Sequence, residues 1–181
     1  MANHIQIRVL HTLDERAIQE LSDVLIDCVE GGASVSFMLP MTRAKADAFW
    51  RNAAASVARG ERIVLAAEDA TGMIVGTVIV ILQQPENQPH RGDIAKMLVH
   101  RSARRQGVGA ALLTAAERAA LDAGKTLLVL DTASDDAERL YARQGWHYCG
   151  VIPDYALLPS GAPCATTIFF KFLRVGYPHE T

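Results

Sequence analysis

A basic segment with two glycines, Arg104-Arg105-Gln106-Gly107-Val108-Gly109-Ala110, is the part of the chain whose residue types and spacing best suit a chemical role. Glycines carry no side chain, so successive backbone N–H groups can approach an anion closely. The segment leads into a predicted helix, whose start adds partial positive charge at the same point. Its arginines and the nearby Arg101 add full charges. This arrangement predicts a site that binds a pyrophosphate.

Asp131 is a candidate proton acceptor, because it ends an apolar segment, 126–130, that is typical of a buried strand. In sheets that contain parallel strands, such a position commonly faces a ligand crevice. The carboxylate could take a proton from a bound molecule, directly or through a water. Its alternative role is to brace the turn that follows, Thr132-Ala133-Ser134.

The two glycines also allow a second interpretation, a dinucleotide-binding fingerprint with Asp131 as its acidic residue. Three features count against a nicotinamide cofactor. The third glycine position is occupied by Leu112. A seven-residue basic loop separates the preceding strand from Gly107, where that fold requires a tight turn. No second mononucleotide-binding half follows in the sequence.

The composition limits the classes of protein that remain. Half of the 181 residues are apolar, 21% are charged and the formal net charge is −2, so no overall attraction to nucleic acid or membrane is expected. The longest hydrophobic stretch, 73–82, is too short to span a bilayer. Three scattered cysteines, without a CxxC or HExxH pair, predict reduced thiols and no metal site. We expect a cytoplasmic protein.

The elements that must position these residues follow from hydrophobic periodicity and from capping and turn residues. The predicted strands are 5–10, 63–68, 73–84, 93–99, 126–130, 146–151 and 166–173. The predicted helices are one capped by Asp14 and stopped at Gly31-Gly32, one from Thr42 to Gly60, one over 107–123 and one over 135–144 with an Asp135…Glu138 capping box. This order predicts an α+β protein with a mixed sheet.

With these residues in view, the chain resembles the GNAT superfamily of acetyltransferases. The family hallmark is matched by Arg104-x-x-Gly107-x-Gly109, and a second motif is similar to Ala137-Glu138-Arg139-Leu140-Tyr141-Ala142-Arg143-Gln144-Gly145-Trp146. The match covers about residues 60–175. It implies a mixed, mostly antiparallel sheet of about seven strands flanked by about four helices, in one domain over 1–181. It also implies acetyl-coenzyme A as the acyl donor.

The resemblance assigns roles to individual residues. It places the pantetheine arm of the coenzyme against Met97, Leu98 and Val99, and it places Tyr141 as the acid that protonates the departing thiolate. From its helix alone, Tyr141 could equally be a core residue. Asp93 aligns with a glutamate that is the base in some members. Ser134 stands where the family often has an asparagine that contacts the coenzyme.

A closer resemblance, to the tabtoxin-resistance branch of acetyltransferases, rests on 30–38 and 166–171. It implies that Glu30, Gly32 and Ser34 help to bind the acceptor. The predicted activity is acetyl transfer to a small amine- or hydroxyl-bearing molecule, such as a toxin or antibiotic, by a monomer or homodimer. The alternatives are a sensor that binds acyl-coenzyme A without turnover and an interaction protein that does not bind it.

Overall fold

The computed structural model describes residues 5–173 as one seven-stranded sheet with four α-helices. In chain order, the strands and α-helices are β1 (Gln6–Leu10), α1 (Glu15–Glu30), α2 (Arg43–Ala58), β2 (Arg62–Glu68), β3 (Ile74–Ile81), β4 (Arg91–Val99), α3 (Val108–Asp122), β5 (Leu127–Thr132), α4 (Asp135–Arg143), β6 (His147–Leu157) and β7 (Pro163–Phe172). The strand order in the sheet is β1-β2-β3-β4-β5-β7-β6, and all strand pairs among these residues are antiparallel except β4 with β5. The predicted fold class is therefore confirmed.

The parallel pair β4–β5 is short, and the two strands then separate. Residues 91–93 of β4 pair with 127–129 of β5. Beyond that point β4 pairs only with β3, and β5 pairs with β7 up to Thr132. Because the strands are parallel, their carboxyl ends lie at the same edge of the sheet. The separation therefore opens a gap in the sheet between those two ends.

A β-bulge in β4 changes which face its side chains occupy. Thr77 pairs with Leu98 and Ile79 with Ala95, so two residues of β4, Lys96 and Met97, oppose a single residue of β3. The extra residue reverses the alternation of side chains along the strand. Accordingly, buried residues on the two sides of the bulge, Ile94 and Leu98, belong to different hydrophobic clusters.

The helices cover both faces of the sheet. On one face, α1 and α2 bury Leu21, Leu25 and Trp50 completely, and each such apolar side chain contributes roughly 1.5–3 kcal/mol of burial free energy. On the other face, α3 buries Leu112 and Leu113. The loop that carries the glycine segment therefore stands at the sheet edge, at the start of a helix that is fixed by its buried side.

Several details of the sequence prediction are wrong. The third strand ends at Ile81 and not at Gln84. The last two strands are longer than predicted, since β6 ends at Leu157 and β7 starts at Pro163. The capping box is also absent. The hydroxyl of Ser134 caps α4 by accepting from the N–H of Ala137 (3.3 Å), while Glu138 accepts a hydrogen bond from Thr167 Oγ1 (2.6 Å). Within residues 5–173, none of the helices has the length and apolar character needed to cross a membrane.

Candidate active site

The edge of β4 that faces the gap offers backbone hydrogen-bonding groups. Met97, Leu98 and Val99 lie beyond the last pairing with β5, and of these Leu98 and Val99 pair with β3. The carbonyl oxygen of Val99 already accepts a hydrogen bond from Arg104 Nε, in the loop that follows (3.1 Å). Buried or half-buried backbone groups of this kind need partners. An extended molecule that carries amide groups, such as a pantetheine arm, can supply them by lying along the strand.

The basic segment forms a cradle of backbone N–H groups directly after β4. Arg105 (φ 60°) and Gly107 (φ 81°) both adopt the left-handed conformation, a geometry in which successive N–H groups form an anion-binding concavity. Gly107 precedes α3 without any side-chain cap. The first N–H groups of α3, at Val108, Gly109 and Ala110, have no acceptor within the helix. This geometry suits a pyrophosphate.

The arginines of this loop have different partners. Arg104 turns inward, with Nε 3.1 Å from the carbonyl oxygen of Val99. Arg101 donates to Asp27 through its backbone N–H (2.8 Å) and its Nε (2.7 Å), so its charge is neutralised and does not serve the cradle as expected. Arg105 has no hydrogen bond or ion pair to the rest of residues 5–173. It is the loop's available cation.

Asp27 anchors this loop to the end of α1. Burial alone would raise the pKa of its carboxyl, but the hydrogen bonds from the backbone and side chain of Arg101 reverse that effect. The charges of His100 and Arg101 act in the same direction, so the pKa of Asp27 lies below its ordinary value. The carboxylate is therefore ionised, and it holds the loop in place at neutral pH.

Gly109 has a second structural reason to be glycine. A Cβ atom at this position would lie 3.1 Å from Cδ2 of Leu140, so the absence of a side chain lets α3 pack closely on α4. At Gly107 no atom lies within 4 Å of such a Cβ, and the positive φ is the only constraint. Gly107 is therefore required only by the backbone conformation of the cradle, whereas Gly109 is also required by the packing of α3 on α4.

A cavity of about 320 Å³ lies at the same edge of the sheet, beyond the end of β5. Its walls are the loop between α1 and α2 and the hairpin formed by β6 and β7. These two walls are joined by hydrogen bonds from Leu39 N to Pro159 O (3.1 Å) and from Ser34 Oγ to Leu157 O (3.3 Å). The residues that line the cavity are Ser34, Ser36, Phe37, Met38, Asp131, Ala133, Tyr155, Ala156, Leu157 and Thr166.

The two candidate bases have different surroundings. Asp131 lies in the wall of the cavity and accepts a hydrogen bond from Thr166 Oγ1 at 2.9 Å. Asp93 lies at the point where β4 and β5 still pair, and it does not line the cavity. Its Oδ2 accepts from Gln84 (3.1 Å) and lies 3.5 Å from Arg91 Nη2. Asp131 is therefore the carboxylate with direct access to a molecule in the cavity.

Tyr141 is buried, with its ring 5.8 Å (centroid to centroid) from both Trp146 and Phe169. Burial raises the pKa of its hydroxyl far above the ordinary value, and the negative charge of Asp131 adds to this effect. The hydroxyl has no hydrogen-bond partner in residues 5–173, yet it is not among the fully enclosed unpartnered atoms. A protonated donor thus stands within electrostatic range of Asp131 with a free hydrogen bond to give.

Of the remaining residues that were predicted to bind a ligand, only one lies in the cavity wall. Ser34 lines the cavity, whereas Glu30 and Gly32 do not. Glu30 is the exposed last residue of α1, and Gly32 (φ 91°) turns the chain there. The hydroxyl of Ser134 is engaged as the cap of α4.

Sequence reasoning missed several residues of this cavity. Tyr155 and Thr166 line it from β6 and β7, and Lys96 holds one wall from the bulge of β4. The segments 30–38 and 166–171 were singled out through the resemblance to the tabtoxin-resistance branch, but of their cavity-lining residues only Ser34 was selected. No local sequence pattern indicates that Tyr155 or Lys96 lies near the cavity, because their positions there depend on how the strands pair.

Comparison with known proteins identifies relatives of this arrangement. The sequence model of the acetyltransferase (GNAT) family matches residues 32–146 of this chain. A solved protein from Salmonella typhimurium with its cofactor acetyl-CoA superposes with a TM-score of 0.75, at 17% identity and with 96% of each chain covered.

Two further solved structures differ in the acceptor that their names give. A ribosomal-protein-alanine N-acetyltransferase from Brucella melitensis has a TM-score of 0.75 and 22% identity, covering 93% of this chain and 99% of its own. A protein proposed to be a phosphinothricin N-acetyltransferase has a TM-score of 0.77 and 16% identity, covering 95% of this chain and 100% of its own. At these identities the likeness establishes a shared fold, and the acceptor has to be argued from the cavity.

Proposed function

Because this chain belongs to the GNAT family of acetyltransferases, which use acetyl-coenzyme A as the acetyl donor, we propose that it transfers the acetyl group to a small amine- or hydroxyl-bearing molecule held in the cavity. The observation that carries the proposal is the gap between β4 and β5. At its mouth, the cradle at Gly107 and the cavity wall at Asp131 follow the carboxyl ends of two parallel strands. A donor and an acceptor can therefore meet at one edge of the sheet.

The residues present fit the donor. The edge of β4 from Met97 to Val99, which does not pair with β5, suits the amide groups of the pantetheine arm, and the N–H groups at the start of α3 suit the pyrophosphate. Arg105 adds a cation beside them. When bound, the coenzyme supplies an acetyl group that is activated as a thioester. Holding that thioester beside the cavity turns a two-molecule reaction into one between positioned groups.

Asp131 and Tyr141 divide the proton chemistry. Asp131 accepts a proton from the acceptor's ammonium, directly or through a water, so that the nitrogen lone pair can form the new bond to the acetyl carbon. The bond from that carbon to sulfur breaks, and the sulfur leaves as a thiolate, which takes up the second proton that the nitrogen loses as the amide forms. Tyr141 stabilises the departing thiolate as a hydrogen-bond donor. Since the pKa of Tyr141 is raised above that of an ordinary phenol, its main contribution is this hydrogen bond and not a completed proton transfer.

The size and lining of the cavity support a small acceptor. Its volume of about 320 Å³ lies within the range typical of small-molecule sites, and its wall combines hydroxyl groups, one carboxylate and aromatic side chains. A toxin or antibiotic with a free amine is an acceptor of this kind. This finer proposal rests on the resemblance of 30–38 and 166–171 to the tabtoxin-resistance branch.

Two measurements test the proposal. Calorimetry should detect binding of acetyl-coenzyme A, and a thiol reagent should detect release of coenzyme A when small amines, amino acids and toxin-like compounds are screened as acceptors. Binding without release on any acceptor would favour the sensor alternative. Absence of binding would contradict the donor site itself.

A further inference from the structure

Lys96 is a half-buried cation that the proposed reaction does not use. It lies in the bulge of β4, next to Met97. Its Nζ donates to Ser36 Oγ at 3.2 Å and lies 5.6 Å and 5.5 Å from the ring centroids of Phe37 and Phe49. No carboxylate of residues 5–173 is within ion-pair distance of it. A hydroxyl and two ring faces are weak compensation for a charge removed from water.

The backbone at Lys96 is also unusual. Its φ of 50° is in the left-handed region, which an L-residue with a long side chain rarely adopts. Such conformations persist only where the surrounding structure holds them, and they cluster at functional sites. Here the bulge directs the lysine toward the loop that forms one wall of the cavity, since Ser36 and Phe37 are both lining residues.

A cation and an anion therefore lie close to the cavity without forming an ion pair. Asp131 lies in the cavity wall on β5, and Lys96 contacts the lining residues Ser36 and Phe37 from the bulge of β4. Burial lowers the pKa of Lys96, the negative charge of Asp131 opposes this effect, and the positive charge of Arg62 on β2 adds to it.

We propose that Lys96 is a specificity-determining residue that pairs with an acidic group of the acceptor. The acceptor is then amino-acid-like, with an amine for Asp131 and a carboxylate, or an anion of similar shape, for Lys96. An anion beside a poorly solvated ammonium gains more than it would in water, because the local dielectric is low. This inference rests on the proposed function and narrows its substrate class.

A purely structural role for Lys96 makes a different prediction. If the lysine only fastens Ser36 and Phe37, its loss should affect all acceptors alike. The test therefore uses pairs of acceptors with the same amine, namely common L-amino acids and the corresponding carboxamides, which lack the negative charge. The readout is kcat/KM from coenzyme A release for each member of a pair.

The variants are Lys96→Met, which keeps the length of the side chain, and Lys96→Arg, which keeps the charge. The wild-type protein should prefer the acid over the amide. Lys96→Met should lower kcat/KM for the acids by roughly 10- to 100-fold, mainly through KM, and should affect the amides much less, since they lose only the support of Ser36. Lys96→Arg should retain part of the preference. The matched control is Lys45→Met, because Lys45 holds the same loop from outside by donating to Pro40 O (3.1 Å).

Three outcomes would overturn the assignment. Equal wild-type rates on acids and amides would exclude recognition of the acidic group. If Lys96→Met lowers kcat/KM equally for acids and amides, with acetyl-coenzyme A affinity and thermal stability retained, the lysine only stabilises the loop at Ser36 and Phe37. Both results leave the proposed function intact, because coenzyme A is still released. If the wild-type protein binds acetyl-coenzyme A but releases none with any acceptor, the proposed function fails and the role of Lys96 with it.

Discussion

The proposed donor side and the proposed acceptor side of this site are built from different groups. The donor side consists mainly of backbone, namely the edge of β4 that does not pair with β5, the left-handed turn at Gly107 and the first N–H groups of α3. The acceptor side consists of side chains from separate elements, with Asp131 on β5 and Thr166 on β7 against a loop after α1. A backbone site suits a ligand that is common to a whole family, whereas a side-chain site can change its ligand by single substitutions.

In the proposed mechanism Tyr141 acts between the two sides, and its substitution should have the largest effect. Tyr141→Phe keeps the ring packing on Trp146 and Phe169 but removes the hydrogen bond to the departing thiolate. Turnover should fall by roughly 10²- to 10³-fold, with little change in acetyl-coenzyme A affinity. Steady-state kinetics and calorimetry measure the two quantities.

Tyr148 provides the control for this experiment, because its ring also contacts Phe169 (6.1 Å) but is largely exposed. Tyr148→Phe should leave turnover unchanged. If Tyr141→Phe lowers stability while turnover stays near normal, Tyr141 is a core residue and the two sides are connected through another group.

The next largest effect is expected at Asp131, which belongs to the acceptor side alone. Asp131→Asn can still accept the hydrogen bond of Thr166 but can no longer take a proton. The rate should fall about 10- to 100-fold at low pH, where little of the acceptor is a free amine, and less at high pH. Acetyl-coenzyme A affinity should not change.

Asp93→Asn is the matched comparison and should have a smaller effect, because Asp93 is held by Gln84 and Arg91 outside the cavity. The measurement is a pH–rate profile of both variants. If Asp93→Asn lowers the rate more than Asp131→Asn does, Asp93 on β4 is the base. Two profiles identical to the wild-type profile would remove both carboxylates from the mechanism.

The same difference between the two sides explains what the sequence could and could not predict. The order of elements and the cradle were predictable, because periodicity, caps and a contiguous Arg104-x-x-Gly107-x-Gly109 motif are local signals. The position of Lys96 was not predictable, since a bulge adds a residue that no sequence pattern displays and reverses which face of the sheet the following side chains occupy. Tyr155 was missed because only the full length of β6 brings it to the cavity.

A smaller effect is expected from the backbone of the donor side, and α3 offers a matched pair of glycines. Gly107 and Gly124 lie at its two ends, both with φ 81° and both with no atom within 4 Å of an added Cβ. Alanine at either position should lower the free energy of unfolding by about 1 kcal/mol, because each residue is left-handed. Only Gly107→Ala should weaken acetyl-coenzyme A binding, by about tenfold.

Calorimetry and urea unfolding of both variants separate the two effects. Equal weakening by Gly124→Ala would mean that binding responds to the general stability of α3. Unchanged affinity in a folded Gly107→Ala variant would contradict the cradle assignment. The comparison is cleaner than a substitution at Gly109, where a side chain would also press on Leu140.

The smallest effect concerns the anchor of the donor loop, the pair of Asp27 with Arg101. The pKa of Asp27 is lowered in the folded protein, so its contribution to stability is fully present above its pKa in the unfolded chain and is lost as pH falls through the lower folded value. Asp27→Asn should therefore cost about 1 kcal/mol of unfolding free energy at neutral pH, since Arg101 is partly exposed. In strong acid the variant and the wild-type protein should be equally stable.

Acetyl-coenzyme A affinity should fall only roughly threefold in Asp27→Asn, a change of about 0.7 kcal/mol. The reason is that the cradle's shape is set by the backbone at Arg105 and Gly107, while Asp27 limits only the loop's movement as a whole. Glu15→Gln is the control, because Glu15 pairs with Arg51 on the open surface and should contribute little at any pH. Urea unfolding across the acid range and calorimetry at neutral pH measure both quantities. A loss of affinity as large as that of Gly107→Ala would show that the donor side depends on this side-chain anchor as well as on its backbone, and the contrast with the acceptor side would weaken accordingly.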